Sequence, residues 1–220
     1  MKTHRRFDLI AFDWDGTLFD STALIVRCIQ AACADVGTAV PSDEQAGYVI
    51  GLGLRDALLH AAPGFPPERY AELGARYRHH YIARQDDLVL FDGTLAMLHA
   101  LKARNHSLAV ATGKSRRGLD DALATVQLKG LFDSTRTADE TASKPDPRML
   151  HELMDELGVA PERTLMVGDT THDLQMAVNA GVPRVGVSYG AHAHESFEVL
   201  APLHVAHSMR ELHDWLVANA

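Results

Sequence analysis

Two aspartates one residue apart, Asp13 and Asp15, close a short apolar run and are followed at once by Gly16 and Thr17. In extended backbone, residues two apart point to the same side, so both carboxylates can reach one small volume. Two carboxylates that close repel each other and need a cation, a shared proton or solvent. The plain structural alternative is an Asp-Gly turn with its first acid on the surface. The chain itself shows how cheap that tripeptide is. Phe91-Asp92-Gly93-Thr94 repeats it, but Leu90 stands where a partner acid is needed. The apolar run and the second aspartate distinguish the first copy, and they leave a metal or phosphate site open beside the turn.

Three further clusters carry comparable groups: Thr112-Gly113-Lys114, Ser143-Lys144-Pro145, and Gly168-Asp169-Thr170-Thr171-His172-Asp173. Each has a structural alternative. Thr112 can cap a turn, Lys144 can be a surface lysine, and Asp169 and Asp173 can be an N-cap and an exposed first-turn acid.

The elements that must position these groups follow from periodicity. Leu9 to Phe12 is apolar without alternation, as in a strand buried on both faces. Leu24, Ile25, Cys28, Ile29, Ala32 and Cys33 recur at helical spacing, with Ser21 as the expected N-cap. From residue 43 to 84 only helical patterns occur, over Asp43–Ile50, Leu54–Ala61 and Pro67–Arg84, with a loop at Pro63-Gly64-Phe65-Pro66. Residues 86–92 are the expected return linker. The pattern then changes to alternation. Helices are expected over Thr94–Arg104, Arg116–Val126, Pro145–Leu157, His172–Ala180 and Met209–Val217. Strands are expected over Ser107–Ala111, within Phe132–Ala138, and over Thr164–Val167, Arg184–Val187 and Leu203–Ala206. Strands alternating with helices imply an α/β fold, a doubly wound parallel sheet. The first strand belongs to it, so an all-helical unit is inserted after that strand. The expected division is residues 1–18 and 89–220 for the core and 19–88 for the inserted unit. In such sheets, ligands bind outside the carboxyl ends of the strands. Three of the four polar clusters fall there, and Ser143-Lys144-Pro145 lies before a helix.

Composition narrows the classes. At 46% hydrophobic and 23% charged, the 220 residues are those of an ordinary globular protein. The net charge of -8 disfavours a general nucleic-acid surface. No apolar run approaches the roughly 20 residues that span a bilayer. Asp13 and Asp15 interrupt the N-terminal apolar segment, so neither a membrane partner nor a signal peptide is expected and a cytoplasmic location is. Cys28 and Cys33 are expected on different sides of one helix, as core or boundary residues. Among the 13 histidines, none forms an H-E-x-x-H pattern, and His79, His80, His192 and His194 are expected to be solvated.

Taken together, the four clusters resemble the motifs of the haloacid dehalogenase superfamily of aspartate-nucleophile hydrolases, in order and over nearly the whole chain. Within it, the chain is similar to the phosphoglycolate-phosphatase-like members that carry a helical cap. The resemblance implies that Asp13 is the nucleophile and Asp15 the general acid/base. Thr112 would bind the phosphoryl group, with Gly113 beside it, and Lys144 would hold nucleophile and phosphate together. Asp169 would ligate Mg²⁺ with Asp13 and the backbone carbonyl of Asp15. Asp173 matches the second acid of the fourth motif, a ligand or a partner of one. The implied substrate is a small phosphate monoester, phosphoglycolate by default, for a monomer or homodimer.

The branches of that family separate on chemistry. Dehalogenases expel a halide that needs no proton, so the acid at Asp15 favours phosphoryl transfer. A β-phosphoglucomutase-like mutase shares the first motif and stays a rival. Phosphonoacetaldehyde hydrolases need a cap lysine, and residues 21–84 contain none. A non-catalytic binding protein on the same fold is the alternative from another class, although Asp13 and Lys144 are both present. For specificity, Gly51-Leu52-Gly53-Leu54-Arg55 offers a glycine-hinged turn in the part of the cap that faces the active site in similar proteins. Arg55 there can pair with a substrate carboxylate or stand solvated at a helix end. Lys114 and Arg116 are weaker candidates for the same task.

Overall fold

The computed structural model describes residues 5–85, 88–126 and 128–220. Asp86 and Asp87, at the start of the expected return linker, lie outside them. Six strands form one parallel sheet in the order β3-β2-β1-β4-β5-β6. They are β1 (Leu9–Phe12), β2 (Ser107–Thr112), β3 (Ser134–Thr137), β4 (Thr164–Gly168), β5 (Arg184–Val187) and β6 (Val205–Ala206). Strand order reverses direction between β1 and β4, and a crevice opens at such a switch point outside the carboxyl ends of the strands. β1 is buried along its whole length because it is central, which explains its unbroken apolar run.

Successive β1 side chains serve opposite faces of the sheet. Ile10 and Phe12 join one apolar core with Met97, Leu98 and Leu101 of α5 (Thr94–Ala103), and with Leu212 and Leu216 of α9 (Met209–Asn219). Leu119 and Leu123 of α6 (Arg116–Thr125) close that side. Leu9 and Ala11 join the other core with Met149, Leu150 and Leu153 of α7 (Arg148–Leu157), and with Met176 and Ala177 of α8 (Thr171–Asn179). The sheet is therefore wound on both faces.

Between β1 and α5 the chain forms α1 (Thr22–Asp35), α2 (Asp43–Tyr48), α3 (Leu54–Ala61) and α4 (Tyr70–Ile82), with a short 3-10 turn at Pro67–Arg69. These helices share an apolar core of their own, built on Ile25, Ile29, Cys33, Leu58 and Leu73 among others. Cys28 turns instead to the core beneath the sheet, so the two cysteines do face different sides of α1. Leaving and returning segments pair with each other. Asp20 N–H donates to Val89 O (3.0 Å), and Phe91 N–H donates to Leu18 O (3.1 Å).

Several boundaries differ from expectation. The helix expected from Pro145 begins at Arg148, because Pro147 disfavours helical backbone at Asp146 before it. α2 stops at Tyr48, and the last strand is only Val205–Ala206. Ser21 precedes α1, but its hydroxyl makes no cap hydrogen bond and is used elsewhere.

Candidate active site

Asp13 follows β1 directly. Its N–H donates to Val167 O at 2.9 Å, which extends the β1–β4 ladder by one step. The carboxylate is buried, 1% exposed. Oδ1 accepts from Lys144 Nζ, and Oδ2 is buried with no hydrogen-bond partner among the described residues. A bare buried charged oxygen costs at least about 1–3 kcal/mol, so this atom marks a place built for a further partner.

Asp169 follows β4 and is fully buried. Its Oδ1 accepts from Thr17 Oγ1 (2.8 Å) and its Oδ2 from the Ala191 N–H (2.7 Å). The backbone of the first motif passes so close that a Cβ on Gly16 would stand 2.2 Å from Asp169 Oδ2. Gly16 also has φ +88°, which a side chain would strain.

Asp173 lies in the first turn of α8, where Thr170 and Asp173 form a capping box. Oδ2 accepts from the Thr170 N–H (3.1 Å) and hydroxyl (2.7 Å), and Oδ1 lies 2.6 Å from Lys144 Nζ. Lys144 thus bridges Asp13 and Asp173 with its side chain wholly buried.

One oxygen from each of Asp13, Asp169 and Asp173 lies within 4.8 Å of the others. Three buried carboxylates face one ammonium. Burial pushes Asp13 well above the usual carboxylate range, against Lys144 and with the help of Asp173 and Asp169. Burial, then Asp173, pushes Asp169 up to about 7. Burial acts to lower Lys144, but Asp13 and Asp173 outweigh it and hold the lysine above its usual value. The excess of negative charge, the hard oxygen donors and the bare Asp13 Oδ2 fit a divalent metal ion.

A model of the haloacid dehalogenase-like hydrolases matches residues 10–187. The chain belongs to that family. It is 35% identical to a phosphoglycolate phosphatase of Rhodospirillum rubrum, over 94% of this chain and 90% of that one. It is 31% identical to a 5'-nucleotidase of Pseudomonas aeruginosa, over 97% of both chains. The crystal structure of a putative haloacid dehalogenase-like hydrolase from Bacteroides fragilis superposes with a TM-score of 0.86 at 25% identity, covering 94% of this chain and 99% of that one. The chain is therefore an enzyme of the phosphatase type within the haloacid dehalogenase-like hydrolases, and its buried aspartate cluster fits a divalent metal site.

In this haloacid dehalogenase-like hydrolase the two aspartates of the first motif part company. The chain bends at Trp14, whose carbonyl accepts from the Leu18 and Phe19 N–H groups at 3.0 Å. Extended geometry is lost there, so the Asp15 carboxylate does not join the other acids, contrary to the expectation of one shared volume. Asp15 Oδ1 accepts from Ser21 Oγ (2.7 Å) and lies 3.1 Å from Lys114 Nζ. Lys114 also donates to Tyr81 Oη of α4 at 2.9 Å. Burial acts to lower Lys114, but Asp15, with Tyr81 and Tyr77, outweighs it and holds the lysine above its usual value.

Thr112 ends β2, is 1% exposed, and accepts from the Lys114 N–H through Oγ1 (3.2 Å). Beside it the helical unit presses on the core. A Cβ on Gly113 would stand 2.4 Å from Leu52 O and 2.5 Å from Gly51 O. Gly53 N–H donates to Ser143 Oγ at 2.9 Å. Arg55, two residues further on, is exposed and makes no hydrogen bond or ion pair among the described residues. Arg116 pairs with Glu140 at 2.7 Å.

His192 is buried rather than solvated, because the carbonyl of Tyr48 needs donors. Its Nδ1 accepts from the Thr171 N–H (3.1 Å), so Nε2 carries the proton and donates to Tyr48 O (3.0 Å). His172 Nε2 meets the same oxygen at 2.8 Å. Thr17, Ser21, Ala191 and Tyr48 were not singled out for these contacts from the sequence. Only Thr17 carried a signal, as the third residue of the Asp-Gly-Thr motif.

Proposed function

We propose that this chain is a Mg²⁺-dependent phosphatase that hydrolyses a small phosphate monoester through an aspartyl phosphate on Asp13, with phosphoglycolate the first substrate to test. The observation that carries the reading is the bare, buried Oδ2 of Asp13, held between Lys144 and the Asp169–Asp173 pair. Asp13, Asp169 and the Asp15 carbonyl would hold the ion, which when bound neutralises phosphoryl charge and lets an anionic nucleophile approach an anionic ester.

The chain's own groups do the rest. Lys144 fixes the Asp13 carboxylate, the group that would attack phosphorus. Asp173 fixes Lys144, since its own second oxygen is committed to the α8 cap. The hydroxyl of Thr112 and the ammonium of Lys144 stabilise charge on the transferring oxygens. Asp15 gives a proton to the leaving alkoxide and then takes one from the water that cleaves the aspartyl phosphate. Pressure of the cap loop on Gly113 excludes bulk water from that step.

The test is turnover of a panel containing phosphoglycolate, nucleoside monophosphates, pyrophosphate, sugar phosphates and an aryl phosphate, in Mg²⁺. Release of phosphate from monoesters, lost in Asp13→Asn, supports the reading. Turnover that survives in Asp13→Asn overturns it. Interconversion of sugar phosphates without net phosphate release would assign a mutase instead.

A further inference from the structure

We infer that Lys114 is a positioning residue that, clamped by the cap residue Tyr81, aims the carboxylate of Asp15 when the cap is closed. This rests on the reading of Asp15 as the general acid/base.

Three separate segments meet at the Lys114 ammonium. Asp15 comes from the loop after β1, Lys114 from the loop after β2, and Tyr81 from the last turn of α4. Nζ lies 3.1 Å from Asp15 Oδ1 and 2.9 Å from Tyr81 Oη, and stands 4.6 Å from the Tyr81 ring centroid. The Lys114 and Asp15 side chains are each only 10% exposed, so neither contact is a loose surface pair. The root of Lys114 is fixed as well, by its N–H to Thr112 Oγ1.

Ser21 donates to the same oxygen, Asp15 Oδ1. With Oδ1 held twice and no hydrogen bond to Oδ2 among the described residues, Oδ2 is the oxygen left to exchange a proton. Two of the holding groups stand at opposite ends of the inserted helices. Ser21 lies just before α1, and Tyr81 lies near the end of α4. Lys114 itself belongs to the core. Opening the cap withdraws the tyrosine from the lysine and frees the ammonium to leave Asp15. Alignment of the acid is thereby tied to closure over substrate. Lys114 is occupied in this way, which separates it from the role of substrate ligand considered from the sequence.

The experiment compares kcat/KM for an alkyl phosphate and for p-nitrophenyl phosphate in Mg²⁺. This ratio reports transfer up to phosphorylation of Asp13, where an alkoxide needs a proton and nitrophenolate does not. Lys114→Met is expected to lower the alkyl value at least about tenfold, and the aryl value much less. Tyr81→Phe, which removes only the hydroxyl, should act in the same sense and more weakly, and Lys114→Arg should recover part of the loss. In an Asp15→Asn background, Lys114→Met should add nothing. Equal losses on both esters, or an undiminished loss in that background, would overturn the inference and place Lys114 on the substrate or in folding. If Lys114→Met does not fold, Tyr81→Phe carries the same comparison. The reading of the site itself is checked separately by Asp13→Asn, which must abolish turnover of both esters.

Discussion

Asp13 and Asp169 meet at the carboxyl ends of neighbouring strands one register step apart: the β1–β4 pairing sets Phe12 beside Val167 and so Asp13 beside Gly168, and Asp169 follows at the next residue, with carboxylate oxygens of both in one cluster. Backbone hydrogen bonds fix that spacing more firmly than any side-chain contact would. The two acids cannot move apart to relieve their repulsion without breaking the central pair of strands. Burial and mutual repulsion therefore disfavour the charged forms of both acids, and a cation entering the site relieves both effects.

The first prediction follows from that strain. Asp13→Asn removes a nucleophile and also one of three buried negative charges around Lys144. Phosphate release should fall at least about a thousandfold. In chelator, the unfolding midpoint should stay level or rise, because the lost charge was disfavoured by burial. A marked fall in thermal midpoint would mean that Asp13 is a net structural anchor.

The second concerns the metal and pH. Chelator should abolish turnover and Mg²⁺ restore it, whereas Ca²⁺, with more ligands at longer distance, should not support it. Asp169 rises from the usual 3.8 up to about 7 in the metal-free protein. Between those values the folded chain holds a proton that the unfolded chain has released. Metal-free stability therefore falls as pH rises through this window. Below about 7, the ion must also displace that proton. The rise in thermal midpoint on adding a fixed Mg²⁺ concentration should be larger at pH 8 than at pH 5.5. An equal or larger rise at pH 5.5 would remove Asp169 from the ligand set.

How much of this could be read in the sequence depends on how local each signal was. The unbroken run Leu9–Phe12 and the strand-end clusters at Asp13, Thr112 and Asp169 announced a parallel sheet with its site at the carboxyl ends of the strands, because burial pattern and turn chemistry are local. The parting of Asp13 and Asp15 was not readable, since it depends on the Thr17, Leu18 and Phe19 N–H groups folding back onto the Trp14 carbonyl. His192 was misjudged for a related reason. Its burial is decided by Tyr48, 144 residues away, and nothing near it in the chain is apolar enough to signal that contact. The start of α7 was misplaced because two prolines stand two residues apart, and either can open a helix.

Thr17 supplies the third prediction. Its hydroxyl donates to Asp169 Oδ1 at 2.8 Å and has no other assigned task. Thr17→Val keeps the shape and removes the donor. Partners of this kind are typically worth about ten- to a hundredfold in metal affinity. A Mg²⁺ titration of activity should shift upward by that order while saturating turnover changes less. An unchanged titration would show that the Ala191 N–H alone orients the carboxylate.

Arg55 supplies the fourth. It is exposed on α3 and touches no acid or acceptor among the described residues. If Arg55 reads a substrate carboxylate, Arg55→Ala should lower kcat/KM for a carboxylated phosphate much more than for an aryl phosphate. A charged hydrogen bond to a substrate carboxylate is worth roughly 1.5–3 kcal/mol, which would shift the ratio of the two about ten- to a hundredfold. An unchanged ratio would place Arg55 at a solvated helix end.

The last prediction concerns the contact that holds the cap down. Tyr48 O accepts from His172 and His192, and the Tyr48 ring lies parallel to His192, with centroids 5.3 Å apart. Burial keeps both imidazoles below the usual 6.5, so they are neutral in the closed form. Folded values below the unfolded one mean that this contribution is complete above about 6.5 and is lost as pH falls through the lowered folded values. Its sign is opposite to that of Asp169, whose effect metal binding removes. In saturating Mg²⁺, closure should therefore weaken on the acid side. His192→Phe keeps a ring to stack on Tyr48 and deletes both nitrogens, which leaves the Thr171 N–H and part of the Tyr48 carbonyl without partners. That variant should show faster amide exchange in residues 48–53 and in the paired segments around Asp20 and Phe91, while amides of β1 and β4 stay protected. Acid pH should then add less opening than in the parent chain, because one of the two titrating rings is gone. If exchange in residues 48–53 is unchanged in His192→Phe, the cap is held by the Gly113 and Ser143 contacts, and the histidine pair is only packing.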